Sequence, residues 1–102
     1  MKSEVVIVRT GIPEALLTLA VLGKTYYWPL NLERVQVCTE VHIYNWDGNE
    51  RIIAPILPGE CYSIDMFEQR KTIIGFDPKL VRFENVHPPR KFGRSSAFYE
   101  EL

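Results

Sequence analysis

The sequence predicts an α+β domain: an N-terminal strand, one buried helix over about residues 13–22, and a curved antiparallel meander of four to five strands packed on that helix. Three observations carry this expectation. Apolar residues alternate in parity from residue 35 to residue 67: Val37, Thr39, Val41 and Ile43 in one run, Ile52, Ala54 and Ile56 in the next, Tyr62, Ile64 and Met66 in a third. Asp47-Gly48 is a two-residue signal for a type I′ turn, and pairing around it sets Thr39 opposite Ile56, Val41 opposite Ala54 and Ile43 opposite Ile52. Pro58-Gly59-Glu60 reads as a three-residue connection that sets Ile56 opposite Tyr62, Ala54 opposite Ile64 and Ile52 opposite Met66. A small, partly open β-barrel is the alternative, because short strands with Gly and Pro turns permit closure.

Taken in order, Glu4 to Arg9 encloses Val5-Val6-Ile7-Val8, a β-branched run that suits a strand buried on both faces. Thr10-Gly11-Ile12 breaks it. Pro13 then opens an apolar stretch, Ala15 to Leu22, that Gly23 stops as a C′ residue with Lys24 just beyond. This stretch is apolar nearly all round, which places it in the middle of the domain as a helix, or as a buried strand. Lys24 to Leu32 carries Tyr26-Tyr27-Trp28 ahead of Pro29 and is expected to cross the domain in extended form. The meander follows at 35–44, 50–57 and 61–67. A charged turn, Glu68 to Lys71, leads to a strand at 72–76, and Asp77-Pro78-Lys79 turns into a last strand over Leu80 to Glu84. The register at 72–76 stays open between Ile73 on the core face and Ile74 with Phe76 there. Residues 1–87 are read as one domain, and 88–102 as a C-terminal tail or docking arm, since Pro88-Pro89 stops the sheet and a basic stretch precedes an aromatic, acidic end.

Twelve basic and thirteen acidic residues in a chain of 102 give a formal charge of −1, which removes the bulk electrostatic case for nucleic acid or an anionic membrane. No apolar run reaches the roughly 18–20 residues of a membrane span, and the N-terminus enters a strand-like run directly, so a cytoplasmic, unprocessed protein is expected. The meander register separates Cys38 from Cys61 by a strand carrying Leu57, roughly 9–10 Å apart, and predicts two free thiols.

Alternation sets Cys38, Glu40 and His42 on the outer face of one strand, and Cys61, Ser63 and Asp65 on that of the next but one. A thiol, an imidazole and carboxylates on one surface have the residue types of a nucleophile, a base and an orienting acid, though a strand stands between the members of each row. Close Cys-x-x-Cys or His-x-x-x-His pairs are missing, so neither a metal nor a cofactor is expected. Gly23-Lys24-Thr25 resembles the end of a phosphate loop only in part, because Thr18 stands where the earlier glycine is needed.

Polar-tipped aromatics at Tyr26, Tyr27, Trp28, Tyr44 and Trp46 suit an interface, with His42 on the same face as Tyr44. Arg90, Lys91 and Phe92, with Phe98 and Tyr99 behind them, suit a docking tail. The expected function is therefore a small non-enzymatic module acting through protein contacts, as a homodimer. The alternatives are a small-molecule binder or minor hydrolase using Cys38, Glu40, His42, Cys61 and Asp65, and, third, nucleic-acid contact by the basic tail.

Overall fold

The β3–β4 pairing forms in the expected register, with Val41 opposite Ala54 and Ile43 opposite Ile52, between strands β3 (Glu40–Tyr44) and β4 (Glu50–Pro55). The computed structural model describes residues 3–12 and 15–102. The turn joining the two strands is wider than two residues. Gly48 donates its N–H to Asn45 O at 3.1 Å, and the Asn45 side chain accepts from the Asn49 and Glu50 amides at 3.1 Å each. Asn45 thus bridges the loop from within, and the register survives.

The second hairpin is overturned. β4 pairs with β7 (Arg82–Asn85), whereas β5 (Tyr62–Met66) pairs with β6 (Gln69–Gly75). Residues 58–60 form a 3₁₀ turn, and residues 78–80 form a second one in the other arm. The stretch from Glu50 to Asn85 is therefore one long ribbon bent at its middle, with a corner in each arm. Pro58 and Pro78 are the physical cause: each opens its turn, and neither has an N–H to continue a ladder. An Ile56–Phe76 bridge holds the bend closed. Gly75 is required there, because a Cβ on it would overlap Glu60. The tip of the ribbon is a tight turn at Phe67 and Glu68, both with positive φ, so the β6 strand starts earlier than expected.

Two sheets result, and most of their pairings are antiparallel. The larger has the order β7-β4-β3-β1-β8, with β1 (Glu4–Arg9) parallel to β3 and β8 (Ala97–Glu101) antiparallel to β1. The smaller has the order β2-β6-β5, with β2 spanning Lys24–Trp28. Both have free edges, so no barrel closes among the described residues. β1 is buried on both faces, as its composition demands. Residues 88–102, expected as a tail or docking arm, include β8 at the sheet edge. The segment before β8 runs from β7 at the opposite edge and crosses the back of the five-stranded sheet.

Helix α1 spans Ala15–Leu22 and ends where Gly23, at φ +73°, donates its N–H to Leu19 O at 2.9 Å. The expected start of the helix at Pro13 and Glu14 lies outside the described residues. The extended passage expected over Lys24 to Leu32 forms as β2 over Lys24–Trp28, and a second helix, α2 (Leu32–Gln36), takes its last residue and the first residues of the strand expected at 35–44. Asn31 caps it by accepting from the Arg34 amide at 2.9 Å. The single-helix reading is corrected accordingly; five residues that bury only Val35 carry too little periodicity to show in the sequence.

The main core lies on the inner face of the larger sheet: Val6, Val8, Val41, Ile43, Ile52 and Ala54 meet Leu16 and Leu19 of α1, Val35 of α2, and Ile74 with Phe76 of the ribbon. Of the two registers left open at 72–76, the one that buries Ile74 and Phe76 is observed. A smaller cluster, Val5, Ile7 and Tyr44 with Val86, Phe92 and Phe98, fills the back of the sheet. No helix among the described residues is long and apolar enough to cross a membrane.

Candidate functional site

Five residues expected to bind, His42, Tyr44, Arg90, Phe92 and Phe98, meet on the back of the larger sheet. The pairing register lines up Phe98, Ile7, His42, Ile53 and Arg82 in one row, and Arg9, Tyr44, Arg51 and Glu84 in the next. The Tyr44 hydroxyl accepts from Arg51 Nη1 at 2.7 Å and from Arg90 Nη1 at 3.3 Å. Arg51 in turn donates to Glu84 Oε1 at 2.7 Å, and Arg90 pairs with Glu100. The Phe92 ring stands edge-on to Tyr44 at 5.2 Å and to Phe98 at 6.0 Å between centroids. The Arg51 hydrogen bond holds the Glu84 carboxyl below its usual range. Burial pushes the His42 imidazole down, against the opposing hydrogen bond that its Nε2 donates to Glu40 Oε1 at 3.1 Å.

Arg51 and Arg90 each have a carboxylate partner, and Tyr44 is buried between them. The cluster is a clasp that fastens the 86–96 crossing to the sheet, with Tyr44 buried and Arg90, Phe92 and Phe98 half-buried.

The other expected binding residues lie apart. Tyr26, Trp28 and Tyr99 pack on the main core, with the Arg34 guanidinium 3.8 Å over the Tyr99 ring. Tyr27 is half-exposed on the three-stranded sheet, in a row with Ile73 and Tyr62. Lys91 is exposed. Trp46 is exposed at the β3–β4 tip and stacks under the Arg9 guanidinium at 3.8 Å.

The constellation of Cys38, Glu40, His42, Cys61 and Asp65 is not assembled. Only Glu40 and His42 are neighbours. Both cysteines are free thiols buried in the main core, where burial raises their pKa values, and Asp65 stands on the other sheet, 3.6 Å from Arg70. The reason is the corner at residues 58–60, which turns β5 out of the plane of β3 and β4 before Cys61 and Asp65 can face His42. Among the described residues, no three His, Cys, Asp or Glu side chains converge as metal ligands would.

The open site lies at the C-terminal ends of the parallel strands β1 and β3. There a cleft of about 660 Å³ runs between Thr10, Gly11 and Ile12 after β1, Ala15, Leu16 and Leu17 of α1, Asn45, Trp46, Asp47 and Glu50 of the hairpin, and Phe83 of β7. Its size falls within the range of ligand-binding clefts. Its walls are more apolar than polar, with Thr10 and Asn45 among them. The titratable side chains among these lining residues are the carboxylates of Asp47 and Glu50.

The cleft continues onto the outer face of α1. All eight described residues of this helix are uncharged, and Leu17, Val21 and Leu22 are 66%, 78% and 55% exposed. Ile12, Trp46 and Phe83 are also more than half exposed. This corrects the placement of the helix in the middle of the domain: one side faces the core and the other faces out. The signal for this surface was present in the all-round apolar pattern. Its meaning depends on which side the sheet covers.

Comparison with protein families, with curated proteins and with solved structures finds no match for this chain.

Proposed function

We propose that this chain is a small non-enzymatic protein-interaction module that associates with itself through the outer face of α1 and the adjoining cleft. One observation carries the reading: Leu17 and Val21, one helical turn apart, stand in water on a helix whose described residues carry no charge. A surface helix of a monomer ordinarily has a polar outer face, and contiguous exposed apolar surface of this kind accompanies protein contacts. Burying one such side chain contributes about 1.5–3 kcal/mol. A two-fold contact covers Leu17 and Val21 in both copies, so its gross gain reaches the same order as the roughly 4–15 kcal/mol that association costs. The buried thiols and the clasped aromatic cluster support a non-enzymatic reading, because neither offers a reactive group to a ligand.

The test is molecular mass by light scattering across a concentration series, on the full chain and on the Leu17→Lys/Val21→Lys double variant. The expected result is a concentration-dependent dimer for the native sequence and a monomer for the variant, with equal urea midpoints at concentrations low enough for the native chain to be monomeric, because both side chains are exposed in the single chain. A native chain that stays monomeric at every concentration overturns the proposal.

A further inference from the structure

The two ends of α1 differ in charge, and this difference selects an orientation for the contact. At the N-terminal end Asp47 and Glu50 line the cleft together with Leu17, and neither is ion-paired among the described residues. At the C-terminal end Gly23 closes the helix, Lys24 follows it and is exposed, and Pro78 packs against Gly23, which brings exposed Lys79 to the same end. Asp77 is also there, and its carboxylate accepts from the Lys79 amide at 2.9 Å. One end thus carries two carboxylates without ion pairs, beside an Arg9 guanidinium that is stacked on Trp46, and the other a net positive charge, with an apolar face whose described residues are uncharged between them.

Resting on the proposed self-association, we infer that two copies dock about a two-fold axis perpendicular to α1, so that the helices pack antiparallel and Lys24 of each copy reaches the Asp47 and Glu50 carboxylates of the other. A two-fold contact uses the same patch on both copies, so a residue near one end of the patch meets one near the opposite end of its partner. Leu17 and Val21 lie about 6 Å apart along the helix axis. An axis passing between them sets Leu17 of each copy against Val21 of the other. The same operation brings the Lys24 end over the cleft, so apolar residues cover Ile12 and Phe83 while the ammonium meets the carboxylates at the mouth. A parallel docking instead stacks Lys24 on Lys24 and acid on acid, which is repulsive at both ends. The helix dipoles also oppose one another only in the antiparallel arrangement. Each cleft is then completed by the second subunit.

The test is a charge exchange between two full-length variants. Lys24→Glu alone sets Glu against Asp47 and Glu50 at both contacts of its own dimer, and Asp47→Lys/Glu50→Lys alone sets Lys against Lys. Each variant by itself is expected to associate more weakly than the native chain by about tenfold or more. Their equimolar mixture is expected to recover association, because only the mixed dimer pairs opposite charges at both contacts. All three changes are at exposed positions, and a variant that had lost its fold could not recover by mixing. A native dimer whose affinity neither variant alters, or a mixture that does not recover, overturns the antiparallel contact and leaves self-association through α1 standing. A native chain that is monomeric throughout overturns both. High salt is expected to weaken the native dimer, as screening acts on exposed charge pairs.

Discussion

Arg90 donates its backbone N–H to Gly48 O at 2.9 Å, and Gly48 lies so close beneath it that a Cβ on the glycine would overlap the Arg90 carbonyl. The β3–β4 tip and the segment that crosses the sheet are therefore fixed against each other. From this point the Arg90 side chain reaches the Tyr44 hydroxyl and Glu100, and Phe92 enters the back cluster. A turn residue two positions from Trp46 thus governs how the aromatic back of the sheet is covered.

Gly48 also stands at φ +73°, where a side chain is strained whatever the space around it. Gly48→Ala is expected to cost about 2–4 kcal/mol, the sum of that strain and of displacing the Arg90 backbone. Urea midpoints measure the loss, and amide exchange at Arg90 should accelerate in the variant. A loss below about 0.5 kcal/mol, the range of ordinary surface changes, would mean that the crossing segment is not held by this contact.

Ile43 and Ile64 share one chemistry and differ in placement. Ile43 is fully buried in the main core, whereas Ile64 is half-buried on the three-stranded sheet. Ile43→Ala is expected to cost about 2–5 kcal/mol and Ile64→Ala about 1 kcal/mol. The meander register that set Ile64 opposite Ala54 predicts equal losses. Comparable urea midpoints for the two variants would favour that register over the bent ribbon.

His42 is held below its ordinary value of 6.5 chiefly by burial, with the Arg51 charge acting in the same direction and Glu40 opposing. The unfolded chain therefore takes up a proton at a higher pH than the folded one. As pH falls from about 6.5 towards the lower folded value, the unfolded state gains protons first, so stability declines, by at most about 1.4 kcal/mol per pH unit from this one group. His42→Gln is expected to flatten the dependence of the urea midpoint on pH between about 7.5 and 5. Parallel profiles for the two proteins would show that His42 takes no part in it. Glu84 acts at lower pH, since its depressed carboxyl stabilises the fold until it is protonated.

Much of the sheet was legible wherever neighbours in sequence are neighbours in space. The hairpin register around Asp47 and Gly48, the two-sided burial of β1 and the helix stop at Gly23 all follow from rules that span a few residues. The error at Pro58 has a definite source. Alternation specifies which face a residue occupies, but it is the same for any partner strand, so Ile64 could be matched to Ala54 as well as to Lys71, its actual partner. The paired prolines at 58 and 78, one in each arm, were the available sign that both strands leave the sheet together.

The candidate site was less legible, and the reason is coverage. Tyr44, Arg90, Phe92 and Phe98 have the composition of a binding surface, and in the structure they pack on one another, with Tyr44 buried beneath the rest. Leu17 and Val21 have the composition of a core, and nothing among the described residues covers them.

The sequence by itself determined the local conformations: β-branched runs extend, glycines at positive φ end the helix and shape the hairpin, and alternation commits each strand residue to a face. Tertiary structure alone decided which strands are neighbours, that β4 and β5 part at a corner, and that the chain from β7 to β8 covers the back of the sheet while the outer side of α1 stays open. The physical reason is range. Backbone preferences and turn chemistry act within a few residues, whereas burial depends on chain segments that meet only when the long ribbon bends and the C-terminal strand reaches β1.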